Sequence, residues 1–321
     1  MTAPHPFMTE LEQQLVTHRG VSASTASNYV RQLAILAGKP FRTLAFLKDY
    51  DPIVKKISEY ADSTKATVLA AIVSALTLYK DKPTYSGAYN FYYDRMMAQV
   101  NANRQKDTSM KSVKQQDNWL TWEEVLKKRG ELAKVADEAG KAKVLSPAQW
   151  LGALTHLLLS LYTMLPPRRN LDYQEMVVVK KWKDDLPADV NYYDIAGQRF
   201  IFNKYKTSKT YGRQEVSIKE NPELKSILSN YLKIHPRRKE AVFRLLVSPE
   251  GGSLDSANAI TRLLNKAFGK KVGSSMLRHI YLSSKYNISE MKKDASEMAH
   301  SMDQQRGYLK AETPKNEIVL L

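Results

Sequence analysis

The chain has 321 residues, room for two domains of ordinary size, and its 43% hydrophobic and 26% charged residues place it among folded globular proteins, not disordered or collagen-like chains. Lys and Arg together number 49 against 33 Asp and Glu, a formal charge of +16 that favours a polyanionic partner, nucleic acid ahead of an anionic membrane. With no cysteine, the sequence excludes disulfides, Cys-based zinc fingers, thiolate catalysis and iron–sulfur clusters.

The opening MTAPHPFMTELEQQ lacks a basic region followed by an apolar run, so no secretory signal is expected there. The first hundred residues read as helices only. From Ser24 to Gly38, Tyr29, Leu33 and Leu36 recur at helical spacing, and Gly38 with Pro40 ends the helix. A second helix starts at Asp62 or Ser63, either of which is a capping residue, and Val68, Ile72, Ala75, Leu76 and Tyr79 give it an apolar stripe before Lys82-Pro83. Further helices are expected near residues 7–18 and 88–104, making a small bundle without an acid–base constellation. The polar, aperiodic run from Asn101 to Asp117 reads as a linker and divides the chain into a helical domain, 1–110, and a second domain, 111–321.

Thr121-x-x-Glu124 is a capping box opening a helix through Val125, Leu126, Leu132 and Val135. Ser146-Pro147 starts the most apolar stretch, Trp150 to Leu165. It contains Thr155, His156, Ser160 and Thr163 and stops at Pro166-Pro167, so it is shorter than the roughly 20 residues a bilayer needs and reads as a buried helix, not a membrane span. Strand character begins after residue 172, in Glu175–Val179, Arg199–Asn203 and Gln214–Ile218, with Lys204 to Gly212 as a hairpin turn between the last two. Helices resume near 221–234, 255–268, 275–286 and 290–299. The expected class is therefore mainly α with a small antiparallel β-sheet: a helical bundle followed by an α+β domain.

Four stretches of the second domain carry chemistry when taken together. They are Pro166-Pro-Arg168-Arg169-Asn-Leu-Asp172, Tyr205-Lys206-Thr-Ser-Lys209, Ser275-Met-Leu-Arg278-His279, and His300-Ser-Met-Asp-Gln-Gln-Arg-Gly-Tyr308. Each alone has an ordinary reading: a solvated helix start, turn polarity, a core histidine, one tyrosine among 18. In this order they resemble the tyrosine recombinases, the phage-integrase-like site-specific recombinases, whose pattern runs Arg, hairpin Lys, His-x-x-Arg, His or Trp, then Tyr.

The resemblance spans Thr121 to Leu321 and selects residues one by one. The family's first Arg precedes an acid by three positions, which picks Arg169 with Asp172 and leaves Arg168 as alternative. Its hairpin Lys matches Lys206, with Lys209 as alternative; its second Arg matches Arg278, its late His matches His300, and its nucleophile matches Tyr308. Two departures stand out: Ser275 occupies the usual place of a His, with His279 nearby, and Tyr308 follows His300 by eight positions where nine is commoner. The N-terminal bundle looks like the family's core-binding domain, a SAM-like helical module.

What the resemblance implies is DNA strand transfer. Arg169 and Arg278 would clamp the two non-bridging oxygens of a phosphodiester, and His300 would add a hydrogen bond. Lys206 would protonate the departing 5′-oxygen while Tyr308 forms a 3′-phosphotyrosine, whose stored bond energy allows resealing without ATP, cofactor or metal. No G-x-x-x-x-G-K-[ST] loop occurs. The implied partner is double-stranded DNA, held by a homotetramer on two sites, inside a cell and with DNA, for a virus or mobile element; no membrane is involved. The apolar end Ile318-Val-Leu-Leu321 is expected to dock on a neighbouring protomer. Two alternatives remain at this stage: a type IB topoisomerase, and a catalytically inactive DNA-binding relative, which the Ser275 departure keeps open.

The basic runs Lys180-Lys181-Trp182-Lys183, Arg237-Arg238-Lys239 and Lys270-Lys271 are candidates for tracking phosphates. If about six such contacts form, DNA affinity plotted against salt on log axes falls with a slope near −5, measurable by filter binding or anisotropy; a flat plot removes nucleic acid as the partner.

Overall fold

A computed structural model describes residues 5–105, 111–256 and 258–287. The chain divides into two compact units, Met1–Met110 and Lys111–Leu321, described here one at a time. Among the described residues the chain is mainly helical with one small sheet, and no helix is long and apolar enough to cross a membrane.

The first unit is all helical: α1 (Pro6–Arg19), α2 (Ala23–Ala37), a 3-10 turn (Ala45–Lys48), α3 (Tyr50–Ser58), α4 (Asp62–Thr77) and α5 (Pro83–Gln105). Leu11, Leu15, Leu33, Leu47, Ile72, Leu76 and Tyr92 are fully buried at its centre. The Ser22 hydroxyl accepts from the Thr25 N–H at 3.2 Å to cap α2, and Gly38, at φ 71°, ends it in the left-handed conformation that glycine adopts without penalty. Two expectations are corrected. Asp62 stands inside the first turn of α4, behind Ala61, which supplies no side-chain cap. The long helix begins at Pro83, earlier than residue 88, because proline is preorganised for a first turn.

The second unit opens with α6 (Val113–Asn118), inside the run that reads as linker. The sequence hides it because periodicity cannot show in six residues; what makes it a helix is a capping box between Ser112 and Gln115. Then follow α7 (Trp122–Lys141), α8 (Pro147–Met164), α9 (Asn170–Gln174), β1 (Val177–Val179), β2 (Tyr192–Asp194), β3 (Arg199–Phe202), α10 (Ser208–Tyr211), β4 (Gln214–Ser217), α11 (Pro222–Lys233), β5 (Val242–Arg244), α12 (Ala259–Phe268) and α13 (Ser274–Lys285). The helix expected over 290–299 lies outside the described residues. Both other capping boxes form, Thr121 with Glu124 and Ser146 with Gln149.

Helix α8 is the axis of this unit, because it is apolar on nearly every face. Trp150, Leu154, Leu157, Leu158, Leu161 and Tyr162 are all buried, and α7, α11, α12 and α13 pack around it. Its approach to α7 requires glycine: a Cβ on Gly152 would run into Val135. The Trp150 indole N–H donates to the Val247 carbonyl at 3.1 Å and its ring stacks on Tyr231 at 5.0 Å.

The sheet runs β4-β3-β2-β1-β5 and is mixed, not antiparallel, because β1 and β2 pair in parallel while every other pair is antiparallel. Parallel neighbours need a crossover. Here the Lys180–Asn191 connection supplies it, laying Trp182, Leu186 and Val190 over Val179, Tyr192 and Ile201 on the far face. Neither β2 nor β5 is visible in the sequence, since three residues cannot display a period of two and tertiary pairing alone makes them strands. The turn between β3 and β4 carries α10, so it is a structured loop, not a bare hairpin turn.

His235 is fully buried, between Trp150, Tyr231 and Phe243, and its Nδ1 accepts the Arg237 N–H at 3.1 Å, which only a neutral ring can do. Burial pushes its pKa down to about 4. Below its unfolded value near 6.5 the unfolded chain therefore binds a proton that the native state refuses, so stability is lost as pH falls from about 6.5 towards 4, by at most about 3 kcal/mol. Urea unfolding between pH 7.5 and 4.5 checks this: His235→Phe is expected to flatten part of the acid slope, and an unchanged slope refutes it.

Candidate functional site

Two prolines stop α8 and force an extended elbow, Pro166 to Arg169, before α9 begins. The two arginines at this elbow face different surroundings. The Arg168 Nε donates to Asp172 Oδ2 at 3.0 Å, Nη1 donates to Gln214 Oε1 on β4 at 2.9 Å, and the guanidinium lies 3.8 Å from the centre of the Phe202 ring and 5.0 Å from that of Tyr205. Arg169 is exposed, and its guanidinium makes no hydrogen bond or ion pair with any described residue. Thus the acid pairs with the arginine four positions back. Arg168 reaches the carboxylate from the extended elbow ahead of the α9 N-cap, whereas with Arg169 the hydrogen bonds of Asp172 run through the backbone, its own N–H donating to the Arg169 carbonyl at 3.0 Å. Burial raises the Asp172 pKa, opposed by Arg168.

Arg278 comes from α13 and reaches the same elbow, its Nη1 donating to the Arg168 carbonyl at 3.2 Å across 110 positions of sequence. Burial first, and the like charge of Arg169 second, hold its pKa below the ordinary guanidinium value, with Tyr162 and Asp172 opposing. It remains a cation at neutral pH. Two guanidiniums drawn from distant segments therefore lie close enough to repel, and no described carboxylate pairs with either. Such an arrangement stores a cost that an anion repays. Tyr162 and Asn170 brace it from beneath: the Tyr162 hydroxyl donates to Asn170 Oδ1 at 2.9 Å, and Asn170 Nδ2 donates to Thr261 Oγ1 at 2.9 Å.

Lys206 is exposed in the β3–β4 turn, and Lys209 is exposed on α10. The turn is closed by the Tyr205 hydroxyl, which donates to the Gly212 carbonyl at 2.6 Å, and it touches the elbow where Arg168 spans Phe202, Tyr205 and Gln214. Ser275 and His279 are both exposed on α13, so His279 is not a core histidine; the buried serine is its neighbour Ser274, a hydrogen-bond partner of Tyr162. Ser275, Arg278 and His279, at i, i+3 and i+4, fall on one side of α13. Tyr281, also on α13, packs edge-on against Trp122 on α7 with ring centres 5.6 Å apart and holds Lys285, while Tyr286 is exposed. His300, Tyr308 and the C-terminal Ile318–Leu321 lie outside the described residues.

Of the basic runs, Lys180, Lys181 and Lys183 are exposed and unpaired among the described residues. Arg237 is committed to Gly251 and Glu240, and Lys270 to the Trp119 carbonyl. Among the described residues no group of three or more His, Cys, Asp or Glu side chains is placed to hold a metal ion. No local pattern marks Asn191, a buried residue that ties Asp172 to the start of the lysine turn. In comparisons with known proteins, no family model matches the chain and no curated protein matches it.

The unlike environments of the two arginines make opposite predictions. Arg168→Ala leaves the buried Asp172 without its partner and should cost about 3–5 kcal/mol in urea unfolding, whereas Arg169→Ala should change stability by no more than about 0.5 kcal/mol. Equal costs would contradict the assignment.

Proposed function

We propose that the chain is a DNA strand transferase of the tyrosine recombinase type. The observation that carries this reading is Arg278 of α13 donating to the Arg168 carbonyl, next to the exposed Arg169 whose like charge it feels, with no ion pair to either guanidinium among the described residues, beside a turn that presents Lys206. A phosphodiester fits such a pair, because its two non-bridging oxygens accept from planar donors and gain charge in the transition state. The net charge of +16 provides the long-range attraction for duplex DNA.

In this reading the Tyr308 oxygen attacks phosphorus in line, its proton passing to water, and the bond to the 5′-oxygen breaks. The departing oxygen is strongly basic and takes a proton from the Lys206 ammonium. The product is a 3′-phosphotyrosine with a free 5′-hydroxyl, and attack by a second 5′-hydroxyl reverses the step without ATP. Ser275 stands where the resemblance expects a His, with His279 on the same side of the helix. The helical unit 1–110 serves as a DNA grip, and a tetramer on two sites exchanges strands, with the C-terminal tail docked on a neighbouring protomer. A type IB topoisomerase and an inactive DNA-binding relative are the rival readings; relaxation of a supercoil lacking partner sites marks the first, and failure to form any covalent adduct marks the second.

A nicked duplex that sheds its 5′-hydroxyl fragment after attack traps the covalent adduct. Wild type should yield a protein–DNA band on denaturing gels, Tyr308→Phe none, and Arg169→Ala or Arg278→Ala adduct formation slower by on the order of 10³-fold. A band retained by Tyr308→Phe sinks the nucleophile assignment, and no band from wild type sinks the strand-transfer reading.

A further inference from the structure

Lys206 is a long, exposed side chain on a turn, and an acid placed this loosely would meet the leaving oxygen only rarely unless the turn itself were fixed. Proton transfer to a departing group depends on geometry within a few tenths of an ångström, so whatever holds the turn sets the rate. Two side chains do hold it.

The first is Asn191, at the end of the crossover into β2. Its Nδ2 donates to the Asp172 carbonyl at 2.9 Å and to the Lys204 carbonyl at 2.8 Å, while its Oδ1 accepts from the N–H groups of Asn203 and Lys204, each at 2.8 Å. An amide side chain has two donors and two acceptor sites, so its capacity is fully spent on joining the α9 backbone to the stem of the turn. The residue is buried. The second is Arg168. It covers Phe202 and Tyr205 on one limb of the turn, bonds Gln214 on the other limb, and is itself anchored on the buried carboxylate of Asp172. Both fasteners converge on Asp172: Asn191 holds its carbonyl and Arg168 holds its carboxylate. One peptide bond separates the fixed Tyr205 from Lys206.

We propose that Arg168 and Asn191 are positioning residues that lock the lysine turn to the arginine elbow, so that the general acid and the phosphate clamp keep one fixed separation. Neither touches the scissile phosphate. The proposal rests on the strand-transfer reading above and assigns within it the residues that make Lys206 effective. It also assigns the Arg168–Arg169 pair: Arg169 meets the phosphate, and Arg168 sets where the acid stands.

The bond that breaks in the forward step is the test. With the natural substrate the phosphorus–oxygen bond to the 5′-carbon side breaks and the oxygen takes the Lys206 proton. When that bridging oxygen is replaced by sulfur, the phosphorus–sulfur bond breaks and a thiolate leaves without needing a proton. A residue that acts through the acid is then dispensable, and one that acts on the phosphate is not. Nicked duplexes carrying a bridging 5′-oxygen or 5′-sulfur would be cleaved by wild type, Lys206→Ala, Arg168→Lys and Gln214→Met. Arg168→Lys keeps a cation opposite Asp172 while losing the ring contact and the Gln214 bond; Gln214→Met loosens the same fastener from the other limb without touching the buried pair.

Both fastener variants are expected to slow the oxygen substrate by roughly 10²-fold while cleaving the sulfur substrate within about threefold of wild type, the signature that Lys206→Ala shows in stronger form. Retained sulfur cleavage also reports that the variant is folded and its arginine clamp intact. Equal slowing of both substrates by the two variants, or no slowing of either, overturns the positioning proposal while leaving strand transfer standing. Failure of wild type to cleave either substrate overturns the strand-transfer reading itself, and the proposal with it.

Discussion

Asp172 is 2% exposed, and a carboxylate taken that far from water survives as an anion only if a cation and hydrogen bonds replace the lost hydration. Arg168 provides the cation, and the Asp172 backbone is bonded in turn by Arg169 and Asn191. A buried pair of this kind contributes little net stability compared with an apolar pair of similar shape. What it does is remove freedom: with Asp172 fixed on α9, the guanidinium of Arg168 can lie in one place, and that place is against the rings and amide of the lysine turn. The elbow, the turn and the end of α13 are brought into register by that one charge pair, and the proposed chemistry depends on the register.

The same commitment explains why Arg169 is free. The guanidinium of Arg168, in the extended elbow before α9, holds the buried carboxylate, and that of Arg169 stays exposed. The like charge of Arg169 acts on Arg278, which spends one donor on the Arg168 carbonyl. In the absence of an anion this is a repulsive arrangement, held by packing around α8 and by the Tyr162–Asn170–Thr261 chain beneath it. Fold stability offsets the repulsion, and a bound phosphate would relieve it. Preorganised charge of this sort needs no rearrangement when negative charge grows on the ligand.

Local signals in the sequence were legible and distant ones were not. The capping box at Thr121 and the helix start at Ser146-Pro147 are written in nearby residues and both form, and the apolar stretch after Pro147 is a buried helix. The choice of Arg169 over Arg168 came from a spacing to Asp172, yet the structure pairs that acid with Arg168. The sequence rule therefore pointed to the exposed arginine for a reason other than ion pairing. The parallel pairing of β1 with β2 depends on how a connection folds back over a sheet, which no local pattern records. Asn191 is the clearest case: a lone asparagine before two tyrosines carries no signal, because its role is defined entirely by the main-chain groups of Asp172, Asn203 and Lys204 that the fold brings to it.

The Ser275 departure also reads differently once α13 is in place. A histidine at 275 would project from the first turn, three positions before Arg278. The serine leaves that surface open, and His279, four positions on, occupies the same side one turn further along. Relative to the pattern the sequence resembles, the imidazole on the Arg278 side of α13 stands about one turn, roughly 5.4 Å, further along. The helix that carries Arg278 therefore keeps an imidazole on its open side despite the serine at 275.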